Sequence, residues 1–183
     1  MWKIVLFLFF TFVLIYISQA SLTNRHSHGF YRFFAWEAIL ALILLNIDIW
    51  FNNWLAWYQV ISWFLLILCF IPLLFGIYYL RSKGLPDKNK RSEPPLLGFE
   101  RTTVLVTSGI YQFIRHPLYS SLFLLTWGVF FKQPSLPGVL FAVIATFFLI
   151  RTAKADEAEC ILTFGRQYQD YMKTTRRFIP LIY

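Results

Sequence analysis

The sequence predicts an all-α integral membrane protein with about five transmembrane helices. The first reason is composition, since 58% of the 183 residues are hydrophobic and 21% are aromatic, more than a soluble domain of this length needs. The second is a series of apolar runs long enough to cross a bilayer. The third is charge, because five spans place nearly all lysines and arginines on one face of the membrane.

The spans follow one another in a single domain that comprises residues 1–183. Three are uninterrupted, and a fourth apolar region divides at Pro134, Pro137 and Gly138, which favour a turn. Its two arms therefore predict a C-terminal hairpin of short helices. The predicted spans are residues 2–20, 33–51, 57–80, 118–131 and 136–150, with a loop at 81–117 and a tail at 151–183.

The first span has an alternative interpretation. Lys3, the apolar run and Ser18-Gln19-Ala20 resemble a secretory signal peptide with its small-residue cleavage site. We expect a retained span instead, because cleavage would remove one helix of a compact bundle.

The net charge of +8 favours a membrane surface over nucleic acid as the partner. Of the 17 lysines and arginines, all but Lys3 and Lys132 fall in the first loop, the 81–117 loop and the tail. The positive-inside rule predicts that these segments are cytoplasmic, in a bacterial-type inner membrane or an endomembrane. There is no basic stripe on a soluble domain, so nucleic-acid binding is not expected.

The loop and the tail carry weaker structural signals. Residues 82–95 are rich in turn formers, whereas the β-branched residues at 101–107 predict an extended segment. In the tail, Cys160, Phe164, Tyr168 and Tyr171 recur at three- and four-residue steps. This spacing predicts a cytoplasmic amphipathic surface helix, interrupted at Gly165.

A cluster of polar residues stands where the loop meets the fourth span. Pro117 suits the first position of a helix and pushes His116 out of helical geometry. Arg115 and His116 would then lie at a helix N-terminus, whose free N–H groups and dipole favour a carboxylate or phosphate. Tyr119 adds a hydroxyl or a ring face. The alternative is a snorkelling arginine with an interfacial tyrosine anchor.

A second polar cluster follows the fifth span. Asp156 and Glu157 are paired carboxylates that can bind ribose hydroxyls or an ammonium group, and one can accept a proton. The alternative is a solvated acidic face, which we favour for Glu159. Both clusters leave the membrane on the same side, so we expect one site at the lipid–water boundary. Glu37, near the cytoplasmic end of the second span, is placed to reach it.

The cysteines predict neither a disulfide nor a metal site. Cys69 and Cys160 are isolated on different elements, and no metal-ligand spacing is present in the sequence.

Together these motifs resemble the isoprenylcysteine carboxyl methyltransferases and the related phospholipid N-methyltransferases. The resemblance covers the C-terminal half, with a mild departure at Asp156, where the family usually has Glu. It implies a small helical membrane bundle that uses S-adenosylmethionine to methylate a lipophilic acceptor: a prenylcysteine-like carboxylate, a phospholipid amine or an isoprenoid. The matching residues are Gly109-Ile110-Tyr111, Arg115-His116-Pro117-Leu118-Tyr119, Asp156-Glu157, Phe164-Gly165, Tyr168, Tyr171 and Phe178-Ile179-Pro180.

The resemblance also implies roles for individual residues. Glu157, His116 and Arg115 would be the catalytic residues, and Glu157 or His116 would take the proton of an amine acceptor. The residues implied to bind the cofactor are Gly109, Tyr111, Arg115, His116, Pro117, Tyr119, Asp156 and Glu157.

An NADPH-dependent membrane sterol reductase is the alternative. These enzymes also carry Arg-His-Pro-x-Tyr and a similar C-terminal tail. They favour Asn where this chain has Leu118 and Gly where it has Ser120, so we favour the methyltransferase. The sequence leaves the acceptor atom and the oligomeric state open.

Overall fold

The computed structural model describes residues 1–87 and 100–180, and these ranges are helical with isolated bridges but no regular strand. Four helical stretches in them are long and apolar enough to cross a membrane, and α5 is a shorter apolar helix. The predicted fold class is therefore confirmed. The helices are α1 Trp2–Leu22, α2 His28–Asn46, α3 Trp57–Leu68, α4 Phe70–Lys83, α5 Pro117–Phe130, α6 Leu136–Phe164 and α7 Arg166–Thr174. Most of the predicted turn-rich part of the loop lies outside the described residues.

Helix α6 differs most from its predicted span. The prediction ends the fifth span at residue 150, whereas α6 continues unbroken for 29 residues to Phe164. No Gly or Pro interrupts residues 151–164. Gly165 ends the helix with φ +58°, a left-handed conformation that glycine adopts without steric cost. Asp156 and Glu157 therefore project from a rigid helix rather than from a separate tail.

The second and third spans also differ from their predicted bounds. Helix α2 begins at His28 because Ser27 caps it, accepting a hydrogen bond from the backbone N–H of Phe30. The third span is two helices, α3 and α4, that meet at Cys69. Pro72 accounts for the break, since it has no N–H to donate to the carbonyl of Leu68.

Helices α2 and α6 form the centre of the bundle and meet through small side chains. Ala35 and Ala38 of α2 and Ala142 and Ala145 of α6 are each at most 6% exposed. Small residues let helix backbones approach closely in a bilayer, where packing rather than hydrophobicity drives association. The outer helices present large apolar side chains outward, as lipid contact requires.

Lys3 and Lys132, the two basic residues that lie outside the first loop, the 81–117 loop and the tail, are both at one end of the bundle. Lys132, in the α5–α6 turn, donates to Gln59 Oε1 at 3.1 Å, and its Nζ lies 3.3 Å from the ring centroid of Trp63. This is a buried cation–π contact. Lys3 pairs with Asp48 at 2.6 Å. The alternating direction of the helices places the Arg-His-Pro motif at the opposite end.

Labelling of single cysteines tests this sidedness. With Cys69 and Cys160 replaced by Ala, Asn24→Cys and Gln167→Cys should react with a membrane-impermeant maleimide only from the cytoplasmic side. Asn52→Cys should react only from the other side, because an odd number of crossings separates it from both. All three positions are exposed, so labelling in detergent is the positive control. Labelling of Asn24→Cys and Asn52→Cys from the same side would contradict the arrangement.

Candidate functional site

The start of α5 has the geometry that the Arg-His-Pro motif predicts. Pro117 occupies the first helical position, and His116 precedes it with φ −123° and ψ 63°. The chain just before α5 pairs with the C-terminal segment. The N–H of Arg115 donates to the carbonyl of Arg176 at 2.7 Å, and that of His116 to the carbonyl of Arg177 at 3.2 Å. These two hydrogen bonds hold Arg115 and His116 against the C-terminal segment. The hydrophobic periodicity of the sequence did not predict this contact.

Glu157 lies at the centre of a buried ion cluster. Its Oε1 accepts from Arg115 Nε at 3.0 Å and from Arg177 Nε at 3.1 Å, while its Oε2 accepts from Arg177 Nη2 at 2.7 Å. Arg115 also donates to the carbonyls of Met172 and Thr175. The Glu157 and Arg115 side chains are only 6% and 8% exposed. One carboxylate therefore joins α6, the start of α5 and the C-terminal segment.

Asp156 organises a second, adjacent cluster. Tyr119 donates its hydroxyl to Asp156 Oδ2 at 3.0 Å, and His116 Nδ1 lies 3.5 Å from the same oxygen. The rings of His116 and Tyr119 stack with centroids 5.3 Å apart. Burial alone would lower the pKa of His116, but the nearby carboxylates of Asp156 and Glu157, 3.5 and 3.4 Å from its ring nitrogens, outweigh burial and raise it. The imidazolium form of His116 is therefore favoured beside the two carboxylates.

A cavity opens beside these clusters. Its empty volume, counted together with space open to solvent, is about 700 Å³. Its polar lining comes from His28, Glu100, Thr102, Arg115, His116 and Asp156, and its aromatic lining from Tyr111, Tyr119, Phe164, Tyr168 and Tyr171. The cavity therefore combines groups of both charges with ring faces.

Helix α7 forms part of the aromatic wall. It is amphipathic, as predicted, but its apolar face packs on the protein rather than on the membrane surface. Tyr168 and Tyr171 are at most 8% exposed, and Tyr171 donates to the carbonyl of Tyr111 at 2.5 Å. Burial raises the pKa of Tyr111 and Tyr171 well above the ordinary value, so both stay protonated hydrogen-bond donors.

The structure separates the sequence-predicted residues into two groups. Tyr111, Arg115, His116, Pro117, Tyr119 and Asp156 line the cavity. Gly109 and Glu157 do not. Gly109 has φ +63°, and a Cβ there would lie 2.0 Å from the Tyr79 ring, so packing explains this glycine. Glu37, which was expected near the site, instead accepts a hydrogen bond from Thr11 of α1 at 2.8 Å.

Four residues at the site were missed or misassigned from the sequence. Arg32 of α2 pairs with Glu100 at 3.0 Å, with both side chains at most 13% exposed. His28 of α2 contacts Glu159 at 2.6 Å. The interpretation of Glu159 as merely solvated is therefore wrong. The one local signal was Ser27, whose capping preference marks His28 as a helix start rather than a loop residue.

Comparison with known proteins is consistent with this geometry. Residues 96–167 match the family model described as phospholipid methyltransferase. The chain is 28% identical over 76 residues to a methanethiol S-methyltransferase of Crocosphaera subtropica, covering 42% of this chain and 29% of that protein. It is 35% identical over 83 residues to a protein-S-isoprenylcysteine O-methyltransferase of Mus musculus, covering 44% and 29% respectively.

A third relative belongs to another enzyme class. A Delta(14)-sterol reductase of Mus musculus is 26% identical over 129 residues, which cover 64% of this chain and 31% of that protein. The chain thus spans about a third of the length of these curated relatives. No solved structure matches the chain at a significant level.

The Glu157 cluster predicts a large stability effect. Glu157→Gln should lower the free energy of unfolding by about 3–5 kcal/mol, because it leaves the buried Arg115 and the partly buried Arg177 without their counter-charge. The measurement is unfolding of the purified protein in detergent. Asp170→Asn is the control, since Asp170 pairs with Lys173 at an exposed site and its loss should leave the melting temperature nearly unchanged. Equal stability of Glu157→Gln and wild type would contradict the cluster's role.

His116 predicts a pH dependence of stability. Its pKa is raised on folding, so its stabilising contribution is fully present below the unfolded value of about 6.5 and is lost as pH rises through the folded value. The melting-temperature difference between wild type and His116→Gln should therefore be larger at pH 6 than at pH 9. His26→Gln, at an exposed position, is the control. If the difference in melting temperature instead grew with pH, the pKa of His116 would be lowered on folding rather than raised.

Proposed function

We propose that this chain, which over residues 96–167 belongs to the phospholipid methyltransferase family, transfers a methyl group from S-adenosylmethionine to a lipophilic acceptor at the cytoplasmic face of the membrane. The observation that carries the proposal is the position of the cavity. The Arg-His-Pro motif and Asp156 line it together at one end of an apolar bundle. The methyltransferase relatives support the reaction class, and their names agree with the resemblance that the motifs showed.

The cavity lining fits the chemical groups of the cofactor. S-adenosylmethionine carries a sulfonium and an ammonium cation, a carboxylate and an adenine ring. Asp156 and Glu100 offer negative charge to the cations, and Arg115 at the N-terminus of α5 offers positive charge to the carboxylate. The ring faces of Tyr111, Tyr168 and Phe164 suit the adenine. No metal is needed for this set of contacts.

The residues of the chain would act mainly by alignment. Bound cofactor supplies a methyl group that a nucleophile can displace. Asp156 is held by Tyr119 and His116, so its charge is fixed before any ligand binds. Glu157 faces the ion cluster rather than the cavity, and we propose that it acts by orienting Arg115. The aromatic side chains that line the cavity would displace part of the water around the bound cofactor, and the charged groups would align it for an in-line displacement.

The acceptor would enter from the lipid side. Leu80 of α4 and Leu118 of α5 line the cavity beside the polar residues, and α4 exposes large apolar side chains such as Phe75 and Tyr78. A substrate with an apolar tail could leave that tail in the bilayer while its head reaches the site. This arrangement explains why the polar cluster stands at a membrane exit.

A sterol-reductase-like activity is the second candidate, favoured by the 129-residue match to a Delta(14)-sterol reductase. Such an enzyme would bind NADPH, which carries several phosphates. Among the residues that line the cavity, Arg115 is the one permanent cation, whereas Glu100 and Asp156 are both carboxylates. The lining therefore favours a ligand with cationic groups, which supports the methyltransferase over the reductase.

Calorimetric titration of the purified protein decides between the two cofactors. S-adenosylhomocysteine should bind saturably and NADPH should not. Asp156→Asn should weaken S-adenosylhomocysteine binding about tenfold or more, because a charged hydrogen bond contributes roughly 1.5–3 kcal/mol. Asp170→Asn, which changes an exposed carboxylate, should bind as wild type does. Saturable NADPH binding without S-adenosylhomocysteine binding would establish the reductase instead.

A further inference from the structure

His28 occupies a place in the site that the family match does not include. It is the first residue of α2, it is 1% exposed, and it lines the cavity with Tyr119 and Asp156. Its Nδ1 lies 2.6 Å from Oε2 of Glu159, and its own backbone N–H donates to Oε1 of the same carboxylate at 2.8 Å. These two contacts hold the imidazole and the carboxylate in one orientation, across 131 residues of sequence.

The contact with Glu159 also determines which imidazole nitrogen is basic. A carboxylate accepts hydrogen bonds, so it selects the tautomer with the hydrogen on Nδ1. The lone pair is then on Nε2, which has no hydrogen-bond partner within residues 1–87 and 100–180. A carboxylate that holds Nδ1–H also stabilises the imidazolium formed when Nε2 takes a proton.

The charged groups around His28 favour proton acceptance. Glu159 and Asp156 face it from α6, and oxygens of both carboxylates lie with a ring nitrogen of His28 inside a 4.8 Å cluster. Arg32, one turn along α2, opposes them, but it is already paired with Glu100. Two carboxylates thus place oxygens within 4.8 Å of a ring nitrogen of His28.

We propose that His28 is the general base of the methyl transfer, that Glu159 is its positioning residue, and that the acceptor is an apolar thiol. This inference rests on the proposed function and names its substrate class. A carboxylate acceptor is ionised at neutral pH and needs no base. A thiol, with an ordinary pKa of about 8.5, is mostly protonated and attacks as the thiolate. An ammonium acceptor with a pKa of about 10 is too weak an acid for imidazole.

His28, the thiol and the cofactor account for every proton and electron pair in the methyl transfer. The S–H proton of the acceptor moves to Nε2 of His28. The resulting thiolate sulfur forms a bond to the methyl carbon of the sulfonium, and the bond from that carbon to the sulfonium sulfur breaks with its electron pair remaining on the sulfur. The products are a methyl thioether, S-adenosylhomocysteine and the imidazolium, whose proton then passes to solvent.

The test uses the full chain in lipid nanodiscs with S-adenosylmethionine, with N-acetylcysteine dodecyl ester, a cysteine-type thiol, and dodecanoate as alternative acceptors. His28→Gln should lower kcat/KM for the cysteine ester at pH 7 by about 10²–10⁴-fold, the usual contribution of a general base. The remaining rate should then rise tenfold per pH unit until the thiol itself ionises. His26→Gln, two residues away and exposed, is the matched control and should keep both the rate and the pH profile of wild type.

Two further readouts separate chemistry from folding. S-adenosylhomocysteine should bind His28→Gln within about twofold of wild type. In ¹⁵N spectra of the protein labelled at its three histidines, His28 should show the Nδ1–H tautomer, and Glu159→Gln should lose that preference. Glu159→Gln should also lower kcat/KM for the cysteine ester, but by less than His28→Gln does, because the base itself remains.

The outcomes that overturn the inference are distinct from those that overturn the proposed function. An unchanged rate and pH profile for His28→Gln, an Nε2–H tautomer in wild type, or transfer to dodecanoate but not to the cysteine ester would each overturn the inference alone. Absence of S-adenosylhomocysteine binding by wild type would overturn the proposed function and the inference together.

Discussion

The membrane-exit end of the molecule depends on the Glu157 carboxylate, which is shared between the buried guanidinium of Arg115 and the partly buried one of Arg177. Arg115 precedes α5, Arg177 lies in the C-terminal segment, and Glu157 is on α6. One carboxylate therefore holds together three separate elements of the chain. Each arginine is costly to bury alone, and the carboxylate would be as well. The elements can therefore close only in the arrangement that brings all three charges together, and this arrangement builds the cavity wall.

The two neighbouring carboxylates of α6 have different surroundings because a helix turns by about 100° per residue. Glu157 faces the arginines, and Asp156 faces the cavity with Tyr119 and His116 around it. These two adjacent acidic residues therefore have different roles. Glu157 stabilises the ion cluster, and Asp156 lines the cavity, where a ligand would bind. This division depends on α6 continuing past the bilayer as an unbroken helix, since a loop would not fix the angle between the two side chains.

The cavity is completed by the N-terminal half of the chain. The segment that matches the family supplies α5, all of α6 and their polar motifs, whereas α2 supplies His28 directly and Arg32 through its pairing with Glu100. The close α2–α6 contact through alanines brings these side chains within reach. The cavity lining therefore comes from different parts of the bundle. Under the proposed function, the cofactor would contact mainly the matched segment, and the acceptor would also contact α2.

The sequence by itself determined what depends on short-range physics. Apolar length specified the spans, Pro117 specified the start of α5, and Gly165 specified the break before α7, because each acts on its own backbone or on its transfer into lipid. Only the tertiary structure decided which charges meet. Glu157 with Arg177 and His28 with Glu159 pair across 20 and 131 residues. A buried charge requires a partner, but helix packing selects which one, and no periodicity in the chain encodes that choice.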